Sequence, residues 1–308
     1  MKDMNGIKII AVDHGYGNIK TANCCFKSGV AVYDAKPPLA ENLLIYEGKY
    51  YLIGAKHKDY DGSKVDDDDY YVLTLAAIAR ELLRESLTSV KVFLAVGLPI
   101  TWVVKQGAAF RDYLLKNKSV EFNFRGVDYH IDFAGADVFP QGFAAVADKL
   151  RDFGGSHMLC DIGNGTMNLL RITDHHADSQ QMFTEEFGTK ECAAKMRAAL
   201  MEEYQVDVDE SILNAVMQSG TADVDEGYLA VMTDAARKYV REIFAVLRKH
   251  KFDPKLMRLY VVGGGGCLIK NFGEYDASRT FILDDICATA KGYEWMAEIK
   301  IRKSGGVV

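Results

Sequence analysis

Apolar residues come in short blocks along this chain, and most blocks have the length and texture of strands. Ile7-Lys-Ile-Ile-Ala-Val12 and His157-Met-Leu-Cys160 are apolar runs that each stop at an aspartate. Lys91 to Leu98 predicts a third buried strand and Arg258-Leu-Tyr-Val-Val262 a fourth. Leu43 to Tyr46 and Tyr50 to Ile53, joined by Glu47-Gly-Lys49, predict a hairpin. Val120 to Phe124 and Val127 to Phe133 alternate strictly around Arg125-Gly126, which predicts a second hairpin with one buried face. His130 falls on the polar side of that hairpin. Helical spacing appears elsewhere. Val72, Leu75, Ala76, Ala79 and Leu83 predict a helix over 70–87. Thr189 is the expected N-cap of a helix over 190–204. Ile212, Leu213, Val216 and Met217 mark a short helix that Gly220 can end. Tyr228, Val231, Met232, Ala235, Tyr239 and Ile243 mark a longer amphipathic one. The latter runs into Arg248-Lys-His-Lys251, read as the cationic complement of a helix C-terminus.

Two of these blocks continue alike. Val12 is followed by Asp13-His-Gly15-Tyr-Gly17-Asn-Ile-Lys20, and Cys160 by Asp161-Ile-Gly163-Asn-Gly165-Thr166. After each glycine turn the chain is extended again, most clearly in Met167-Asn-Leu-Leu-Arg-Ile172. Strand, glycine turn, strand is a hairpin rather than a dinucleotide-binding strand-turn-helix. Glycine lets backbone amides approach a ligand closely, and successive N–H groups in such a turn form an anion nest. An aspartate at the strand end adds a hard oxygen suited to Mg²⁺ on phosphates, often through water. The two aspartates lie 148 positions apart, about one domain, so two similar lobes serving one phosphate chain are expected. A third glycine cluster, Gly263 to Gly266, follows the strand ending at Val262 and precedes Cys267-Leu-Ile-Lys-Asn271, which could begin a helix. Four glycines in a row are entropically costly unless a ligand must lie against the backbone. Here a nucleoside is the expected ligand.

Composition narrows the function. The chain has 308 residues, 49% of them hydrophobic and 26% charged, and a net charge of −6. Those proportions predict a globular chain of about two domains. The acidic balance argues against direct non-specific binding to DNA or an anionic membrane. Met1 to Gly6 lacks the basic segment and apolar stretch of a signal peptide, and no apolar run approaches the roughly 20 residues of a spanning helix. A cytoplasmic protein is expected, with its six cysteines (Cys24, Cys25, Cys160, Cys192, Cys267 and Cys287) reduced and in the core. The acidic run Asp66 to Asp69 is read as a solvated loop or helix start. Lys303 to Val308 is expected to fray.

The three glycine motifs, in this order, resemble those of the actin-like ATPases, within the superfamily of sugar kinases, heat-shock chaperones and actin. Val138-Phe-Pro-Gln141-Gly-Phe-Ala-Ala145 looks like the first connecting helix of that fold, with Pro140 at its first position and Gln141 in its first turn. Ala288-Thr-Ala-Lys-Gly292-Tyr looks like the second. Gly-Asn-Ile-Lys in the first hairpin is most similar to the plasmid-segregation ParM/StbA family. The resemblance implies a duplicated two-lobe actin-like (ribonuclease H-like) α/β fold with nucleotide in the interlobe cleft. Lobe I would span 1–153 plus 286–308, with a small subdomain inserted at about 34–90, and lobe II 154–285.

Carried over position by position, the resemblance gives Asp13 and Asp161 to Mg²⁺, through water. Gly15, Tyr16, Gly17, Asn18 and Lys20 would serve phosphate. Gly163, Asn164, Gly165 and Thr166 would cradle the β- and γ-phosphates, and Gly263, Gly264 and Gly265 would face the adenosine. Lys190 is a weaker candidate for the ribose or base. Gln141 and Asp161 would be catalytic, Gln141 by orienting water. There are departures. Many relatives have Gly-Gly after the second aspartate and a later acid, where this chain has Asn164 and Asn168. Segregation-type relatives often carry Glu where Gln141 stands. A neutral amide orients water but cannot act as a base, so any base role falls to Asp161 or to no residue. The implied cofactors are ATP or ADP with Mg²⁺, GTP remaining open. The implied partners are the chain itself in a head-to-tail filament and a small DNA-binding adaptor of the ParR type. Plasmid DNA would be reached only indirectly, and no membrane is expected. A sugar-type small-molecule kinase would need a further catalytic acid, and none stands out. A chaperone would need a substrate domain after Gly292. A non-polymerising cell-division scaffold would be favoured by an amphipathic tail.

Overall fold

The structure, a computed structural model, describes residues 1–38, 40–55 and 68–304. Asp66 and Asp67 of the acidic run and residues 305–308 of the tail lie outside the described residues, as does part of the small subdomain expected at about 34–90. In chain order the elements are β1 (Lys2–Met4), β2 (Ile7–His14), β3 (Asn18–Lys20), β4 (Cys25–Lys27), β5 (Val30–Tyr33), β6 (Leu43–Tyr46), β7 (Lys49–Ile53), α1 (Asp69–Leu83), β8 (Ser89–Leu98), α2 (Val103–Leu114), β9 (Ser119–Phe124) and β10 (Val127–Pro140). A 3₁₀ segment, Phe143–Asp152, follows. Then come β11 (Ser156–Ile162), β12 (Met167–Thr173), β13 (His176–Glu185), α3 (Thr189–Tyr204), α4 (Glu210–Ser219), α5 (Glu226–Lys249), β14 (Arg258–Val262), α6 (Gly266–Phe272), β15 (Thr280–Ile282) and α7 (Ala288–Lys303). The chain divides into two compact units, residues 1–148 with 287–308, and residues 149–286.

The first unit is built on a ten-stranded sheet in the order β4-β3-β2-β8-β10-β9-β6-β7-β5, with β1 paired to β2. β2 and β8 run parallel, as do β8 and β10; the other pairs are antiparallel. The central strands are apolar on both faces because both faces are covered. Ile10, Val12, Leu94 and Val96 join the core under α1 and α2, while Ile9, Ala11, Phe93 and Ala95 pack with Ala290, Tyr293 and Ala297 of α7. Each of these fully buried Ile, Val and Leu side chains contributes about 1.5–3 kcal/mol.

The second unit has a five-stranded sheet in the order β13-β12-β11-β14-β15. Again two antiparallel pairs are followed by two parallel ones. One core fills the space between this sheet and α3 to α6, centred on Met158, Cys160, Leu169, Met196, Tyr239 and Ile243. Phe153, Tyr260 and Phe281 stack in series on the other face, at centroid distances of 4.2 and 4.8 Å.

Several expectations need correction. The helix expected over 70–87 stops at Leu83, and Ser86 adopts a left-handed φ of 55°. Pro140 closes β10 instead of opening a helix, because β10 keeps pairing with β8 as far as Pro140 opposite Leu98; a strand end tolerates the missing N–H. Gln141 therefore sits in a turn, and a 3₁₀ segment replaces the first connecting helix. Gly188, not Thr189, is the N-cap of α3, with its N–H bonded to Glu191. Among the described residues no disulfide joins the six cysteines, but Cys25 is exposed, and Cys24 and Cys267 are half-buried. No helix among the described residues is long and apolar enough to cross a membrane.

Candidate functional site

In the first unit the hairpin β2–β3 turns through Gly15, Tyr16 and Gly17. The Gly15 N–H donates to the carbonyls of Asp13 and Asn18, both at 3.1 Å. The carbonyls of Tyr16 and Gly17 accept from the Oγ and the N–H of Ser28, a fully buried residue that the sequence reading did not mark. Strand alternation sends Asp13 and His14 to opposite faces. His14 enters the core, its Nε2 2.7 Å from Thr74 Oγ1. Asp13 is 5% exposed and faces Lys20 across the hairpin, with Lys20 Nζ 3.6 Å from Oδ2. Gln141 Nε2 donates to Asp13 Oδ1 at 2.8 Å. Three sequence-predicted residues, 128 positions apart at the extremes, thus meet around one carboxylate.

In the second unit the hairpin β11–β12 turns through Gly163, Asn164, Gly165 and Thr166, closed by the Gly163 N–H donating to the Thr166 carbonyl at 2.8 Å. Asp161 faces Asn168 across the hairpin. Asn168 is buried and accepts from Thr184 Oγ1 at 2.9 Å. The start of α3 is bonded to this turn. Thr189 N–H donates to the Gly163 carbonyl at 3.1 Å, Lys190 N–H to the Asn164 carbonyl at 2.9 Å, and Thr189 Oγ1 to Asn164 Oδ1 at 3.1 Å. Lys190 meets the hairpin with its backbone; its side chain is exposed. Gly188 makes this contact possible, since a Cβ there would lie 2.2 Å from the Asn164 carbonyl oxygen and 2.8 Å from the Gly165 nitrogen. Sequence reasoning missed Gly188. Its one signal was a glycine immediately before a helix start.

The glycine run lies against the same strand end. Gly263 has φ +85°, and a Cβ there would come 2.4 Å from Asp161 Oδ1. Gly265 N–H donates to the Ile162 carbonyl at 2.9 Å, and α6 begins at Gly266. Gly264 is exposed, and a Cβ on it would meet nothing within 4 Å. Open backbone at that position fits a flat ligand. Asp161, the turn 163–166, the start of α3 and the glycine run thus gather within one unit.

The donor sets bear on the implied cation. Among the described residues no group of three or more His, Cys, Asp and Glu side chains is arranged to hold a metal ion. Single carboxylates beside glycine turns fit a hard cation that brings most of its ligands as water and phosphate. Nearby Cys160 takes no part, because burial holds its thiol far above the ordinary range.

Comparison with known proteins agrees with this architecture. Residues 11–143 match the family described as actin like proteins N terminal domain. No curated protein matches the sequence. Among solved structures, the actin-like protein Alp7A is 15% identical over 96% of this chain and 97% of its own, with a TM-score of 0.76. ParM of Bacillus thuringiensis with ATP is 14% identical over 96% and 99%, with a TM-score of 0.71. The Alp12 filament structure is 18% identical over 96% and 99%, with a TM-score of 0.68. The fold is the two-lobe α/β fold of actin-like proteins, as the order of the motifs implied.

Proposed function

We propose, with the actin-like fold as premise, that this chain is a nucleotide-dependent ATPase that assembles head to tail into filaments. Its role would be to segregate plasmid or mobile-element DNA through a small DNA-binding adaptor of the ParR type. The observation that carries this reading is the repeated hairpin. Two units with the same order of antiparallel and parallel strands each end a central strand in Asp13 or Asp161 beside a glycine turn.

Each hairpin would serve the phosphates of one ATP, with GTP the alternative. Gly15, Tyr16, Gly17, Asn18 and Lys20 would act from the first unit, and Gly163, Asn164, Gly165 and Thr166 from the second. Mg²⁺ when bound would neutralise phosphate charge, held through water by Asp13 and Asp161. Gln141, anchored on Asp13, would orient the hydrolytic water without taking its proton. Asp161 is the one candidate left for accepting that proton. Gly263, Gly264 and Gly265 would support the nucleoside and Lys190 its edge. The domain limits proposed for the two lobes are 1–153 with 286–308, and 154–285. Filament assembly is supported by likeness to the Alp12 filament structure, and nucleotide use by likeness to ParM solved with ATP.

Purified protein with ATP and Mg²⁺ at tens of micromolar is expected to scatter light, pellet and release phosphate. Flat scattering with both ATP and GTP overturns the filament reading. Asp161→Ala is expected to cut phosphate release by about 10²-fold or more with an unchanged circular dichroism spectrum. Normal turnover in that variant overturns the site assignment.

A further inference from the structure

The charge of the second unit is sorted along one helix. Residues 201–226 contain eight acids, Glu202, Glu203, Asp207, Asp209, Glu210, Asp223, Asp225 and Glu226, and no lysine or arginine. Residues 241–258 contain six cations, Arg241, Arg248, Lys249, Lys251, Lys255 and Arg258, against two acids. The acidic stretch sits at the N-terminal end of α5, where Tyr204 packs on Tyr228 with centroids 4.9 Å apart and Asp225 caps the helix. The basic stretch sits at its C-terminal end. At 1.5 Å per residue, positions 228 and 248 are about 30 Å apart, so the two ends cannot neutralise each other within one chain.

Each end also carries apolar surface that a lone charged patch would not need. At the acidic end Met201 and Tyr204 are 46% and 40% exposed. At the basic end a cavity of about 280 Å³ opens between α5 and the segment after α6, with Phe244, Phe252, Met257 and Tyr275 in its walls. Arg241 and Arg248 line it seven positions apart, on one face of α5. Arg279 lines it from the opposite side, its Nε bonded to the carbonyls of Pro254 and Met257 at 2.9 and 3.3 Å. Leu256 stands beside it, 74% exposed. One end is a net anionic knob with an aromatic tip, although Asp207 pairs with Arg197, and Lys195 and Lys238 beside Glu202 and Glu203 are paired to Glu242 and Asp234. The other is an aromatic-lined socket in which three arginines outnumber two acids, Glu274 and Asp276.

We propose that the occupant of the socket is a second copy of this chain. The acidic end, Met201 to Tyr204 with Glu202 and Glu203, docks on the Arg241, Arg248 and Arg279 face of the next molecule. The contact is heterologous: different surfaces meet, each molecule keeps one of each free, and repetition gives an open filament. Charge complementarity sets the polarity, because like ends repel. This inference deepens the filament reading and rests on it.

Charge reversal tests it, with sedimentation and light scattering as readouts and fluorescent-nucleotide binding as the folding control. Arg241→Glu with Arg248→Glu, or Glu202→Arg with Glu203→Arg, should each raise the critical concentration for assembly by about tenfold or more. A one-to-one mixture of the two variants should assemble where neither does alone, because the intact knob meets the intact socket and the reversed knob meets the reversed socket. Combining all four reversals in one chain should restore filaments. If wild-type protein does not assemble at all, the filament reading falls and this contact with it. If wild type assembles and either reversed pair assembles at the wild-type concentration, this contact alone is overturned. Failure of the fourfold variant to recover, while it still binds nucleotide, overturns it equally.

Discussion

The two hairpins share a motif and a place in their sheets, yet they are held differently. In the first unit the residue across from Asp13 is Lys20, and Gln141 reaches the same carboxylate from the end of β10. That arrangement is made of side chains and charge. In the second unit the residue across from Asp161 is Asn168, which is occupied with Thr184. What holds the second turn is backbone: α3 begins on it through Thr189 and Lys190, and Gly188 and Gly263 leave no room for a side chain. A duplicated motif thus diverges by changing what supports it while the turn itself is kept. The first hairpin should respond to changes of chemistry and the second to changes of shape.

The largest expected effect is on shape. Gly188→Val places atoms where the Asn164 carbonyl stands, and should cost about 3 kcal/mol or more in stability and abolish nucleotide binding. A variant that melts and binds as wild type breaks the comparison. A middle-sized effect concerns chemistry. Gln141→Ala should slow phosphate release by about tenfold to a hundredfold while leaving nucleotide affinity within about twofold. Lost affinity instead would assign Gln141 to binding. The smallest effect sharpens the contrast between the units by pH. His157, at the start of β11, is fully buried against Phe153 and Tyr260, and burial holds its imidazole below the ordinary value of 6.5. The folded chain keeps it neutral and the unfolded chain protonates it. Its contribution is therefore complete above about pH 6.5 and is lost progressively as pH falls below that. Amide-exchange protection in β11 should fall as pH drops from 7 to 5.5, and His157→Gln should flatten that dependence. An unchanged slope in the variant removes His157 from the account.

The hairpins were legible because they rest on local rules: an apolar run, an aspartate and glycines at fixed spacing. So were the helices whose apolar face repeats, such as α5. The helix α2 was missed, although Val103, Gly107, Phe110 and Leu114 keep helical spacing, because one glycine and several polar residues hide the stripe. Gln141 was placed in a helix because Pro140 suits a first helical turn. Only the long-range register between β10 and β8 decides otherwise. Gly188 and Ser28 act through partners more than ten positions away, and no local pattern announces such partners. Gly188 meets Asn164, and Ser28 meets the carbonyls of Tyr16 and Gly17.

The bonding of α3 to the second turn has a mechanical consequence. α3 is a rod of 16 residues, about 24 Å long, with its first residues bonded to Gly163 and Asn164 and its last carrying Glu202 to Tyr204. A tilt of about 5° at the anchored end displaces the far end by about 2 Å over that length. That is comparable to the reach of a salt bridge. In the proposed reading the helix is a lever whose short arm lies on a phosphate-binding turn and whose long arm ends in the docking knob, so small rearrangements at the turn would be magnified at the contact with the next copy.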